Sequence, residues 1–358
     1  MNRCRLLILM VPCLVALALL GRASVQACCP APRSGGVVFN ADQTVILIWD
    51  AAKQMQHFIR LATFASEEPD FGFLIPSPTQ PELEEAGNEA FPYLAKLTAP
   101  EIIRRQRPRE SGCGCGSKEA GLAGDAPPSS VTVLAEKRVA GFNAVVLEAK
   151  SADALVTWLK DHGYAYSPQI EAWAKPYVEQ GWKITALKVA SDAKEPRPGR
   201  VNAAALRMSF KTDRPLFPYR EPDYGSQPTA MKQTARLLRI FFIAEARYEG
   251  TLTPQEPWTG RVAWAGQVKA EDKAKLLELL KLPPETGPAT WWLTEFEDQW
   301  PYKVAPADVY FAKAKDQSSI KRNPEIIYTS WVLPADGATY ALAGLILLPL
   351  VRRWRRSG

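Results

Sequence analysis

The chain has 358 residues, 47% hydrophobic and 23% charged, enough to bury a core in one large domain or two modest ones, which excludes wholesale disorder and collagen-like repetition. Its formal net charge is +6, yet seven of the 44 basic residues lie in the two end segments, leaving 37 against the chain's 38 acidic residues. The body is about neutral and carries no basic stripe, so no nucleic-acid partner is expected.

From Arg3 and Arg5 an apolar run over 6–20 leads into Arg22-Ala23-Ser24-Val25-Gln26-Ala27, the pattern of a secretory signal peptide over 1–27. Val25 and Ala27 suit the small pockets of signal peptidase, and cleavage leaves Cys28 first. Lipid modification of Cys28 is a rival reading, for which Gln26 is unusual, and an uncleaved anchor is another.

After the leader, β-branched or aromatic runs at 37–39, 44–49, 57–64 and 71–75 read as a four-stranded meander. Both alternating faces of 44–49 are apolar, as in a strand covered on both sides. Pro76 and Pro78 are expected to stop the fourth strand, because neither can donate to a ladder. A short helix follows over 88–96.

Over 104–130 the apolar pattern is lost and Arg, Gly, Ser and Pro gather around Cys113-Gly114-Cys115, an expected exposed excursion. Strand character resumes over 131–147. Ser151 and Asp153 suit a helix start, Leu155, Trp158 and Leu159 its buried face, and Gly163 its end. In the next helix Ser167 can cap, Pro168 fits the first turn, Ile170, Trp173, Ala174, Tyr177 and Val178 make one apolar stripe, and Gly181 closes it. Pro176 inside it is expected to bend it. A strand over 182–190 precedes a candidate subdomain break at about 191–200. Strands at 203–210, 237–246, 289–296 and 308–312 and a helix over 271–282 complete the body. The fold class is α+β, with mixed or antiparallel sheets and packed helices.

At the far end the uncharged run 338–351 is followed at once by Arg352, Arg353, Arg355 and Arg356. Fourteen helical residues cover only about 21 Å, but counting from Trp331 gives about 31 Å, the thickness of a hydrocarbon core. A transmembrane anchor over 331–351 with a basic cytoplasmic tail over 352–358 is therefore expected, its body outside by the positive-inside rule. A buried terminal helix is the alternative. The arrangement also resembles bacterial C-terminal sorting tails, although Leu333-Pro334-Ala335-Asp336-Gly337 matches no processing motif.

These segments resemble a bacterial family of exported, uncharacterised proteins, the domain-of-unknown-function family 2330. The resemblance rests on Ala27-Cys28-Cys29-Pro30, on Asp70-Phe71-Gly72-Phe73-Leu74-Ile75-Pro76 with Pro78, and on Trp158-Leu159-Lys160-Asp161-His162-Gly163-Tyr164. It continues through Tyr177-Val178-Glu179-Gln180-Gly181-Trp182-Lys183-Ile184 and the proline-marked stretch 210–218. It implies an envelope location with signal peptide and tail anchor, and it supplies no activity and no active-site residue.

Of six cysteines, Cys28, Cys29, Cys113 and Cys115 survive signal removal. In an oxidising exterior an even count favours disulfides, and pairing the first two with the last two closes loops of roughly 85 residues. Gaps of zero and one residue disfavour a four-thiolate zinc site. Neither histidine, His57 nor His162, belongs to a nucleophile-elbow motif, and His57 is the better catalytic candidate only through the acids of the first strands. On a strand, Glu295 and Glu297 share a face about 7 Å apart, within the span of glycosidase pairs, although paired acids on a solvated strand are far commoner. Trp291 and Trp292 point to opposite faces, and one of them exposed would offer a stacking platform for a sugar.

No phosphate loop, Cys-x-x-Cys, His-Glu-x-x-His or calcium loop is written, so no cofactor and no metal are expected. The leading expectation is a non-catalytic envelope protein that binds a cell-surface glycan or an envelope protein. The runner-up is an envelope hydrolase of glycans or peptides using Glu295, Glu297 or His57.

Overall fold

The computed structural model describes residues 29–32, 43–61, 63–64, 71–107, 132–164, 168–189, 201–202, 205–222, 236–253, 256–300 and 307–330. The signal peptide, the expected strand over 37–39, the Ser167 cap, the anchor with Arg352, Arg353, Arg355 and Arg356, the 191–200 break, and Cys28, Cys113 and Cys115 lie outside the described residues, as does the side chain of Cys29. Among the described residues no helix is long and apolar enough to cross a membrane.

In chain order, β1 (Cys29–Pro32), β2 (Gln43–Asp50), β3 (Met55–Arg60), β4 (Thr63–Phe64), β5 (Phe71–Ser77) and β6 (Glu82–Ala86) precede helix α1 (Ala90–Leu97). Then come β7 (Ile102–Arg107), β8 (Thr132–Val139), β9 (Phe142–Glu148), α2 (Ala152–Asp161) and α3 (Pro168–Glu179). They are followed by β10 (Lys183–Val189), β11 (Val201–Asn202), β12 (Ala205–Lys211), β13 (Leu216–Phe217), β14 (Arg236–Ala244), β15 (Tyr248–Thr251) and β16 (Arg261–Gln267). Helix α4 (Ala270–Leu279), β17 (Trp292–Trp300), β18 (Val309–Lys313) and β19 (Glu325–Ser330) complete the order. The class is α+β and sheet-dominated, with mixed and antiparallel sheets.

Contacts divide the chain into one unit of Met1–Thr98 with Ser117–Lys321 and another of Ala99–Gly116 with Arg322–Gly358. In the first unit a seven-stranded sheet runs β16-β17-β14-β2-β3-β12-β6, mixed because β2 and β14 are parallel, and a five-stranded antiparallel sheet runs β1-β5-β10-β9-β8. A three-stranded sheet, β13-β18-β15, joins the core between them. Val45, Leu47, Trp49 and Phe58 of the larger sheet meet Phe73, Phe142 and Leu187 of the smaller, with Phe217, Val309 and Phe311 from the third.

Each large sheet buries its other face under helices. Leu74, Leu147 and Ile184 pack on Leu155, Trp158, Ile170 and Tyr177 of α2 and α3, and Ile46, Ile48, Phe241 and Ile243 pack on Phe91, Leu94, Leu276 and Leu277 of α1 and α4. The result is four layers, α/β/β/α. β2 lies between two cores, which is why neither of its faces is polar; each fully buried Val, Ile or Leu on it contributes about 2 kcal/mol.

Local signals fix the ends of α2. Ser151 is extended (φ −152°, ψ 161°) and its side chain accepts from the Ala154 amide. Gly163 adopts φ +72°, and the Tyr164 amide returns to the Leu159 carbonyl. Gly181 closes α3 at the same φ.

Three expectations change. The opening strands are not one meander: β2 and β3 form a hairpin in the seven-stranded sheet, whereas β5 pairs β1 and β10 in the other. Pro76 does not stop β5, which continues to Ser77. Pairing with β1 ends at Leu74, so a residue without an amide is tolerated on the open side. The excursion begins later than position 104, because β7 runs to Arg107 in parallel with β19, with Ile102, Ile326 and Ile327 exposed on this ribbon of the second unit.

Candidate functional site

Glu295 and Glu297 alternate with Phe296 along β17, so both acids project to the α1/α4 side while Phe296 enters the core between the sheets. Both are buried, Glu295 to 1% exposure. Arg239 on β14 stands opposite Glu297 and reaches both, its Nε 2.9 Å from Glu295 Oε1 and its Nη2 3.1 Å from Glu297 Oε1. Arg261 on β16 takes the other Glu297 oxygen. The shared face foreseen from the sequence is there, but it is not a solvated face. Two guanidinium groups, Arg239 half-buried and Arg261 largely exposed, neutralise the two carboxylates, and a buried carboxylate holds its charge there only because it meets an opposite one.

His57 stands three strands away from these acids, about 14 Å at the usual strand spacing. It faces Ser209 across the β3–β12 ladder, and Nδ1 and the Ser209 hydroxyl share a 2.8 Å hydrogen bond. Burial, helped by the Arg207 charge and opposed by Asp50, lowers its pKa from 6.5 to about 4, so the imidazole is neutral at pH 7. Asp50 itself bonds the Lys53 amide and ammonium. His162, at the end of α2, bonds the Trp158 carbonyl and stacks on that indole 3.8 Å away. The structure therefore brings together Glu295 with Glu297 and His57 with Ser209, and does not bring the acids to either histidine.

Two further buried carboxylates escaped the sequence reading. Asp298 accepts from Tyr219 Oη at 2.8 Å, Trp258 Nε1 at 3.0 Å and Thr259 Oγ1 at 2.7 Å. Asp308 accepts from Tyr177 Oη and from the Tyr219 and Arg220 amides, while burial raises its pKa against those bonds. Tyr219 thus hangs between both acids, tying the segment after β13 to β17 and to the residue before β18. Satisfied on this scale, the two groups read as fasteners of the sandwich.

An open space lies elsewhere. A cleft of about 510 Å³ opens between α4 and the chain entering β17, walled by Val268, Ala274, Leu277, Leu282, Pro284 and Trp291, with Lys273 at its edge. None of Glu295, Glu297 and His57 lines it. The volume falls in the range of small-ligand sites, and the walls are apolar with a few polar groups. Lys273 reaches back to donate to the Pro288 and Ala289 carbonyls at 2.8 and 3.0 Å, its ammonium 5.4 Å from the Trp291 ring centroid. Burial lowers its pKa below the usual lysine value. Trp291 is 1% exposed and Trp292 half-buried, so neither ring is the open platform expected for a sugar. Gly287 (φ +74°) lets the loop pass: a Cβ there would lie 3.1 Å from Ile48 Cγ2 and 3.2 Å from Trp291 Nε1.

One signal for these residues was present. Arg239 interrupts the apolar run Leu237-Leu238-Arg239-Ile240-Phe241, and a charge in so apolar a strand asks for a buried counter-charge. Lys273, one of several lysines on a polar helix, carries no such mark. Among the described residues, no group of three or more His, Cys, Asp and Glu side chains is placed to hold a metal ion.

The sequence pattern of a family described as uncharacterized proteins conserved in bacteria matches residues 23–312. No curated protein matches the chain. Among solved structures, the crystal structure of baculovirus P35 is similar at 9% identity and a TM-score of 0.31, over 83% of this chain and 100% of that one, too slight a likeness to carry an argument.

Proposed function

The chain belongs to the DUF2330 family, uncharacterised proteins conserved in bacteria, and on that footing we propose that it is an exported, membrane-anchored envelope protein that binds a ligand rather than transforming one. The observation that carries this reading is the separation of open space from reactive groups. The cleft between α4 and β17 is walled by apolar side chains, whereas the acids with catalytic spacing are held by Arg239 and Arg261 and His57 is held by Ser209. A binding module needs the first and has no use for exposed acids.

Location rests on the leader pattern over 1–27 and the apolar run with its arginine cluster over 331–356. The bilayer is then one partner, through the C-terminal helix, and the cleft receives a small envelope molecule or the end of a larger one, a cell-surface glycan or envelope protein included. Fractionating cells that express the full chain tests both halves. The expected product is membrane-bound, has lost 1–27, and is digested by protease added outside the cytoplasmic membrane. Binding is read by ligand-observed NMR against a fragment library, with signals that disappear in Ala274→Trp, which fills the cleft. Unprocessed chain in the cytosol overturns the location. Fragment signals indifferent to Ala274→Trp overturn the cleft.

A further inference from the structure

The three lysines of the α4 segment are not equivalent. Lys269 pairs with Glu271 and Lys275 with Glu278, both on the exposed side, whereas Lys273 turns toward the cleft and meets the two carbonyls of the covering loop and the Trp291 ring. Among the described residues it forms no ion pair with a carboxylate, and burial lowers its pKa. It is a half-buried positive charge at the edge of the cleft, with no counter-charge among the described residues. An ammonium has three donors, so a group that brought a negative charge could still be received there. The one acid lining the cleft, Glu278, already has Lys275.

The wall beside Lys273 holds a second unmet donor. Among the described residues, Trp291 Nε1 is buried and has no hydrogen-bond partner. Gln267, Glu278 and Thr290 add polar groups to the lining, and the remainder is apolar, with Val268, Leu277 and Leu282 facing a space of about 510 Å³.

We propose that the cleft takes a small carboxylate with an apolar body, its carboxylate on the Lys273 ammonium and its hydrocarbon against Leu277, Leu282 and Trp291. This rests on the binding reading above and names the chemistry of its ligand. Two features of the cleft fit each other in that occupant: the uncompensated cation fixes the head, and the apolar walls reward the body through the area they remove from water.

The test is calorimetry on the full-length protein with two matched pairs of probes, octanoate against octanol and 4-phenylbutyrate against 4-phenylbutanol. The expected result is tighter binding of each carboxylate by about tenfold, the equivalent of one charge-assisted hydrogen bond. Lys273→Met, which keeps the stem and removes the charge, abolishes that preference, and Lys273→Arg retains it. Should Lys273→Met melt early because the loop carbonyls lose their donor, the paired probes on the unaltered protein decide alone. Equal affinities within each pair, or a preference that survives Lys273→Met, overturn the ligand class and leave the binding reading intact. Failure of all four probes at millimolar concentration also overturns the class; the fragment screen with Ala274→Trp then decides the binding reading separately.

Discussion

His57 is an imidazole that the fold holds neutral, and this has a cost in acid. Its pKa falls from 6.5 in the free chain to about 4 in the folded protein, because burial and the Arg207 charge outweigh Asp50. Between those values the unfolded chain takes up a proton that the native state refuses, so stability is full above about pH 6.5 and declines as pH drops toward 4. The shift corresponds to about 3 kcal/mol across that window. Urea denaturation at a series of pH values should show the decline, and His57→Gln should remove about that much of it while the carboxylates continue to titrate. An equal decline in both proteins would mean that His57 is not held neutral. The same residue shows what a sequence withholds. That Glu295 and Glu297 share a face follows from strand periodicity, but which strand lies alongside does not, so neither Arg239 opposite the acids nor Ser209 opposite His57 could be read in advance.

At the scale of elements, what was legible is what is local. The cap at Ser151, the positive φ at Gly163 and Gly181 and the stripe on α3 all depend on residues within a few positions. The strand boundaries that failed, at Pro76 and Arg107, depend on a partner strand: β5 tolerates Pro76 where β1 has ended, and β7 is a strand because β19 lies beside it. Helix α4 offers a contrast with α2. Its N-cap Lys269 already has the extended backbone of a cap (φ −67°, ψ 154°) but makes no side-chain capping hydrogen bond to the helix backbone. Lys269→Ser supplies the missing acceptor and should stabilise the protein by about 1 kcal/mol, the usual worth of such a cap. The lost contact with Glu271 is between exposed groups and weighs little. The midpoint of urea unfolding measures the gain, with Lys269→Ala as the control that should show none.

The whole molecule is assembled by pairings that no local pattern announces. The parallel join of β2 to β14 places Gln43 beside Leu238 and makes the larger sheet mixed, and β17 and β16 then extend it on the far side of β14. The apolar double face of β2 was visible in the sequence as burial, but the identity of its two covers was not. Among the described residues, the three hydrophobic clusters that hold these layers draw none from 99–107 or 322–330. The second unit consists, among the described residues, of the parallel ribbon β7–β19, and two strands alone make a marginal structure. A chain ended at Lys321 therefore loses β19 and the expected anchor together while keeping every residue of the clusters. It should be released from the membrane fraction yet melt within about 3 °C of the full-length protein, a difference of no more than roughly 2 kcal/mol for a body of this size. Circular dichroism melts of both forms, with hydrogen exchange on β14 as the internal standard, measure this. A fall of about 10 °C or more would mean that the ribbon contributes to the four-layer core, and retention on the membrane would mean that 331–351 is not what holds the protein there.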